Sequence, residues 1–453
     1  MTDPAAPRRP FRLDARVTGS VLCAAGLLLS SFPWLLAGAV GLELLAAAFW
    51  VWARAAEDRT EQLKRWGWLR RPAAAMWLAA GIEAVVSRTG TPPGLPPLAA
   101  LGPLRWIQAA ALVWAGLELL AASPFARPFS DRPGPLHDLG PWLPVLLPSA
   151  GFALLWRHAA RWAGVPEMRQ VALFLLFLTA VLGALRAFSR KRLVASLRWL
   201  VVVDSSLAAC LVALNVVPRD ASLLLWVGAC GGRAMLLAGE LRGSAPRRTY
   251  LSHRLWSLSS WLTTASLSWP LLISLGFGRP GVAHLGYAVV AAFVVALSCW
   301  VTVRRLVEAP ERRTMVRRES AVPFHQLAAL LTILVGPAGL VLVWWSGFRL
   351  EWPAWALGLA PALVTGAVAW WLQRHPETFR VVPLESTSGA ARGVAAAAFR
   401  SVVGVERRAV ALLIGLGRAL IAPSRDLHTG DAQEYLLFLV GLSVLALVLP
   451  LLR

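Results

Sequence analysis

The sequence predicts an all-α protein, a polytopic bundle of about thirteen transmembrane helices. Hydrophobic residues make up 57% of the 453 positions and charged residues only 15%. Apolar runs repeatedly reach the roughly twenty residues that an α-helix needs to cross a bilayer. The run 327–345 contains no charged side chain, whereas a helix on the surface of a soluble core carries a charged face. We therefore expect a membrane protein.

The spans follow one another along the chain, with boundaries good to a few residues. Window length places them at 17–32, 34–54, 73–86, 104–122, 139–157, 170–187, 195–217, 221–240, 255–277, 282–303, 327–345, 353–372 and 433–452. The fifth span carries Pro141, Pro144 and Pro148, which together predict a broken helix.

Basic residues indicate how the spans are oriented. The polar, basic segment 1–16 lacks the cleavage site of a signal peptide and is expected to be a cytoplasmic tail. The basic loops then fall on the cytoplasmic side of a bacterial inner membrane, as the positive-inside rule requires: 54–72, 123–138, 186–194, 241–254, 304–322 and 373–432. Loop 157–169 is an exception. Because this rule explains the net charge of +21, nucleic acid is not an expected partner.

The C-terminal part is expected to differ from the rest. Between 391 and 421, apolar residues recur at three- and four-residue steps, and Arg400, Arg407 and Arg418 share the opposite face. This pattern predicts an amphipathic lateral helix that lies along the membrane. The predicted division is a cytoplasmic tail (1–16), a transmembrane core (17–372), a cytoplasmic-side segment with the lateral helix (373–432) and a transmembrane anchor (433–453).

Motifs for bound groups are missing from the sequence. The four cysteines lie in apolar segments without a CxxC pair, and the seven histidines make no metal-ligand spacing. We find no nucleotide, flavin, quinone or iron–sulfur motif. The sequence thus predicts no metal, no cofactor and no catalytic site of its own.

Ionisable residues inside the spans are the candidate functional residues, because a charge within a bilayer is costly. Asp204 can be a structural contact or a proton stop, and the small residues around Arg233 favour a fixed counter-ion. Glu43 and Glu118 lie in identical heptapeptides, Gly-Leu-Glu-Leu-Leu-Ala-Ala, which biased composition can also produce. Either glutamate can pair with Arg233 or hydrogen-bond a neighbouring helix.

Several short motifs, in the same order along the chain, carry a resemblance to a known family. They are Gly41–Leu45, Gln62–Trp66, Gly81–Ile82, Thr89–Thr91, Arg190–Ala195, Gly228–Ala234, Leu275–Arg279 and His428–Leu436. With them, the chain resembles the antiporter-like subunits shared by respiratory complex I, Mrp-type sodium/proton antiporters and membrane-bound hydrogenases. It looks like a divergent member, shortened by the family's first three helices.

The resemblance implies a proton path of embedded lysines, histidines and glutamates, from which this sequence departs. The glutamate is kept as Glu43, but the family's titratable bases align to Leu119 or Leu120, Pro148, Ala229, Arg233 and Arg279. Burial can bring the pKa of lysine towards neutrality, whereas arginine stays charged. A surviving path would use Glu43, Glu118 and Asp204, in the field of Arg233 and Arg279. Snorkelling to the interface equally explains Lys191, Arg279 and Glu240, which lie near span ends.

The implied function is a membrane subunit of a complex I-type, proton-translocating assembly with impaired or altered conduction and a structural or coupling role. It would be a non-redox subunit of an NADH–quinone oxidoreductase or a related complex, with other membrane subunits and the bilayer as partners. Two alternatives stay open. One is a stand-alone secondary cation/proton transporter. The other is a lipid-modifying enzyme, for which His137 and Asp138 are the candidate polar cluster.

Overall fold

The computed structural model describes residues 11–30, 34–55, 59–88, 102–121, 143–189, 193–215, 217–241, 267–272, 282–308 and 360–368, with positions 32, 261, 264, 275, 334, 341, 345 and 371. Within this part the chain is helical and has no strand. The helices are α1 (Phe11–Ser30), α2 (Leu35–Ala55), α3 (Arg59–Arg88), α4 (Gly102–Leu119), α5 (Leu143–Arg157), α6 (Ala159–Trp162), α7 (Pro166–Ser189), α8 (Leu193–Leu214), α9 (Arg219–Leu241) and α10 (Val282–Glu308).

Membrane-crossing length is clear for two helical segments of the described part, Pro166–Phe188 and Ala195–Leu214. Four shorter apolar segments accompany them: Thr18–Ser30, Leu35–Val51, Val145–Arg157 and Gly286–Thr302. The all-helical class is therefore as predicted, while the number of thirteen spans stays a prediction. The lateral helix at 391–421 and the span at 433–452 lie outside the described residues.

Two local predictions differ from the structure. The segment 54–72 was expected to be a loop, but α2 continues to Ala55 and α3 begins at Arg59, since this polar stretch is rich in good helix formers. The fifth span was expected to break, yet α5 continues through Pro148. The Ser149 hydroxyl donates a hydrogen bond of 2.7 Å to the carbonyl of Val145. The N–H that Pro148 lacks would have bonded the carbonyl of Pro144, so the Ser149 bond lies in the same turn and does not replace the lost one.

Consecutive helices pack against each other from α1 to α5 and from α7 to α9, as short connections favour. The α1–α2 contact is close because two glycines face each other. A Cβ atom at Gly41 would lie 2.7 Å from the carbonyl oxygen of Gly26. Glycine at both positions lets the two backbones meet, as small residues do at helix interfaces in membranes.

Helix α8 lies at the centre of the described part. It contacts α5, α7, α9 and α10, and every residue from Val201 to Ala213 is buried. Asn215 follows it with φ 51°, a left-handed conformation that asparagine tolerates at the end of a helix. The chain then turns back into α9. This hairpin brings Asp204, in the middle of α8, beside Arg233 of α9.

Candidate functional site

A buried ion pair joins α8 to α9. The Nε of Arg233 donates a hydrogen bond of 3.0 Å to Oδ2 of Asp204, and both side chains are 0% exposed. The sequence offered Glu43 and Glu118 as possible partners for this arginine, but the structure pairs it with Asp204 and places Glu118 against Arg71 and Trp114. Charges taken this far from water persist because each supplies the counter-charge of the other.

Two threonines from other parts of the chain complete the surroundings of the guanidinium. Nη2 of Arg233 donates to Oγ1 of Thr264 at 2.6 Å, and Nη1 donates to Oγ1 of Thr302, in α10. The hydroxyl of Thr302 in turn donates to the carbonyl of Ser298 at 2.9 Å. All three nitrogens of the guanidinium therefore have acceptors, one on α8, one at position 264 and one on α10.

A second polar layer lies beside the ion pair. The indole nitrogen of Trp226 donates to Oγ of Ser205 at 3.0 Å, and that hydroxyl lies 3.6 Å from Sγ of Cys230. In the described part of the chain, Oδ1 of Asp204 has no hydrogen-bond partner. Oδ2 of the carboxylate thus accepts the hydrogen bond from Arg233, and Oδ1 takes no part in the ion pair.

The chemistry open to this site follows from its residue types. A guanidinium keeps its proton at every physiological pH, so Arg233 cannot alternate between protonated and neutral forms. The guanidinium is planar and its N–H groups point in fixed directions. Hydrogen bonds to three acceptors therefore fix the positions of α8, residue 264 and α10 relative to one another. The arrangement provides a fixed positive charge in an apolar core and provides no proton carrier at position 233.

Glu118 occupies a second buried site. It lies in the last turn of α4 and is fully buried. The indole nitrogen of Trp114 donates to its Oε2 at 3.0 Å, and Nη1 of Arg71 lies 3.9 Å from its Oε1.

Of the other predicted charges, the structure describes the side chain of Glu43 alone. Glu43 is half-buried in α2. Lys191 and Arg279 lie outside the described residues, as does the side chain of Glu240. The structure thus leaves the suggested roles of these four residues as predictions.

A third polar cluster, missed by sequence reasoning, lies in the exceptional loop 157–169. Nη2 of Arg161 donates to Oε1 of Glu83, and Nη1 lies 3.2 Å from Nδ1 of His158. His158 is buried in the turn between α5 and α6. Burial, reinforced by the charges of Arg161 and Arg157, lowers the pKa of His158 to about 4. This histidine is therefore neutral at physiological pH.

Comparison with known proteins gives little beyond this geometry. No protein-family model matches the chain, and no curated protein matches it. Among solved structures, it is similar to a chain of respiratory complex I from Thermus thermophilus with bound aureothin. The two are 19% identical, the alignment covers 78% of each chain, and the TM-score is 0.40. At this level the similarity supports no conclusion about activity.

Proposed function

We propose that this chain is a divergent antiporter-like membrane subunit of a complex I-type, proton-translocating assembly, in which it has a structural or coupling role. The proposal combines the motifs shared with the antiporter-like family and the apolar helices of the described part. Proton conduction of the family type would need a titratable base, and the aligned positions hold none.

The contacts of Arg233 are the observation that carries the proposal. Where family members use a lysine to bind and release protons, this chain has an arginine whose three guanidinium nitrogens each donate to an acceptor, namely Asp204, Thr264 and Thr302. A permanent charge held from three sides keeps its counter-ion Asp204 in one position. It also holds α8, α9 and α10 in one arrangement. Both properties suit a coupling element more than a relay.

The same proposal includes the number of spans, their orientation in the membrane and the role of the C-terminal segments. The chain would have about thirteen spans, with residues 1–16 in the cytoplasm and the core at 17–372 in a bacterial inner membrane. The lateral helix in 373–432 and the anchor at 433–453 would bind the chain to neighbouring membrane subunits. The remaining acids of a reduced path would be Glu43, Glu118 and Asp204, with Lys191 and Arg279 near its ends.

The experiment that tests the proposal is purification of the tagged chain from its native membrane in a mild detergent, followed by mass spectrometry. We expect redox subunits and other antiporter-like chains to co-purify with it. Arg233→Ala should reduce that recovery, whereas a surface change such as Arg105→Ala, in the exposed first turns of α4, should not. A chain that is recovered alone from an intact membrane would refute the assignment and favour a stand-alone transporter.

A further inference from the structure

The end of α4 has an unusual environment for a carboxylate. The helix ends at Leu119, and the next two residues, Leu120 and Ala121, are also buried. Ala121 has φ 53°, so the chain turns sharply inside the protein. The last carbonyls of a helix carry partial negative charge, which opposes an anion placed among them. An ionised Glu118 in this turn therefore depends on a positive neighbour.

Arg71 is placed to supply that positive charge from the surface. Its Nη1 lies 3.9 Å from Oε1 of Glu118, yet 57% of its side chain is exposed, against 0% for the glutamate. Trp114, which donates to the other carboxylate oxygen, is also 47% exposed. The buried carboxyl group is thus covered by two side chains that themselves reach the outside of the chain.

The contact between Arg71 and Glu118 is one that can open. An ion pair with an exposed partner is weak, because solvent competes for the cation and the long side chain gains freedom on release. Arg71 lies in the basic segment 54–72, which the positive-inside rule predicts to be on the cytoplasmic side, and α4 ends just before the predicted cytoplasmic loop 123–138. If Arg71 turns outward, Oε1 of Glu118 loses its cover on this predicted cytoplasmic side.

We propose that Glu118 is a proton-binding site at the cytoplasmic end of α4 and that Arg71 is the side chain that closes it. In the closed state the carboxylate and the guanidinium neutralise each other. In the open state a proton from water binds Oε1, the carboxylate becomes a carboxylic acid, and Arg71 leaves with its charge unchanged. The cluster gains one positive charge in this step. Its role in proton uptake rests on the proposed function, whereas proton binding itself needs no partner subunit.

A hydrophobic carbodiimide tests this proposal, because it reacts with protonated carboxyl groups in apolar surroundings and leaves a stable adduct. The full chain in lipid nanodiscs is treated with dicyclohexylcarbodiimide between pH 5 and 8, and mass spectrometry follows the peptides of Glu118 and Glu43. In the wild type we expect labelling of Glu118 to rise as the pH falls. Arg71→Ala should speed this labelling about fivefold at pH 7, since an ion pair with an exposed partner contributes up to about 1 kcal/mol to the ionised form.

Matched variants distinguish loss of the Arg71–Glu118 contact from loss of the folded structure. Arg105→Ala removes an exposed arginine in the first turns of α4, thirteen residues before Glu118, and should label like the wild type. Arg71→Lys keeps the charge and should stay within about twofold of the wild type, while Glu118→Gln should abolish the adduct on that peptide. The labelling of Glu43 should be the same in all of them, which reports intact folding.

Two results would overturn the inference. Equal labelling rates in Arg71→Ala and the wild type would remove Arg71 as the closing residue. Absence of the adduct on Glu118 at every pH, with Glu43 labelled, would remove the proton site. Neither result depends on whether redox subunits co-purify, so this inference and the assignment to a complex I-type assembly can fail separately.

Discussion

Arg233→Ala is the substitution whose effect the structure predicts in most detail. It removes the counter-charge of Asp204 and the donor to Thr264 and Thr302, all in the buried centre of the described part. Removing one partner of a buried ion pair costs roughly 3–5 kcal/mol. Asp204 can limit that cost by taking up a proton, because neutralisation is cheaper than a lone buried charge. We therefore expect a loss of about 3 kcal/mol in the free energy of unfolding.

The assay is unfolding of the purified chain in mixed micelles by increasing SDS, followed by tryptophan fluorescence. The double substitution Asp204→Leu with Arg233→Met provides the matched control, since apolar replacement of both charges leaves no ion without its partner. We expect the double variant to recover at least half of the stability lost in Arg233→Ala. The reasoning is refuted if Arg233→Ala unfolds at the wild-type midpoint, or if the double variant is less stable than the single one.

Two further predictions concern other parts of the chain. The pKa of His158 falls from its ordinary 6.5 to about 4 in the fold, so the unfolded chain binds the proton more readily. Stability should therefore drop by about 3 kcal/mol as the pH falls from 7 to 4, at about 1.4 kcal/mol per pKa unit. His158→Gln, which still offers Arg161 an acceptor, should abolish this slope in unfolding measured at each pH. Gly41→Ala should cost about 1–3 kcal/mol in the same unfolding assay, because its Cβ would meet the Gly26 carbonyl. Gly81→Ala, with no atom within 4 Å of the added Cβ, should instead be neutral or stabilising by up to about 1 kcal/mol.

The sequence predicted the helices and the charged residues of the site, but only part of how they meet. Apolar length alone locates α7 and α8. The sequence analysis offered Glu43 and Glu118 to Arg233 and missed Asp204, which the short connection between α8 and α9 brings beside it. Thr264 and Thr302 could not be predicted, because they lie 31 and 69 residues from the arginine and nothing local distinguishes them from other threonines. Their role appears only when the helices are packed.

The polar cluster at loop 157–169 shows the same limit. Counting charges identifies Arg161 as an exception to the positive-inside rule. The count does not show that Glu83, 78 residues earlier in the sequence, pairs with this arginine. A search for acids on neighbouring spans at the same membrane depth could have suggested this partner. For Glu118, the heptapeptide pattern gave the residue, whereas its burial at the end of a helix came from the structure.

The spread of the Arg233 contacts along the chain has a consequence for synthesis. Asp204 precedes the arginine in the order of translation, whereas Thr264 and Thr302 follow it. At bacterial and eukaryotic elongation rates, the 69 residues up to Thr302 take on the order of ten seconds to make. During that interval the newly made arginine has its counter-ion but not its full set of acceptors. Arrival of α10 therefore completes the site, and a chain that stops before α10 retains a guanidinium that lacks the acceptor at Thr302.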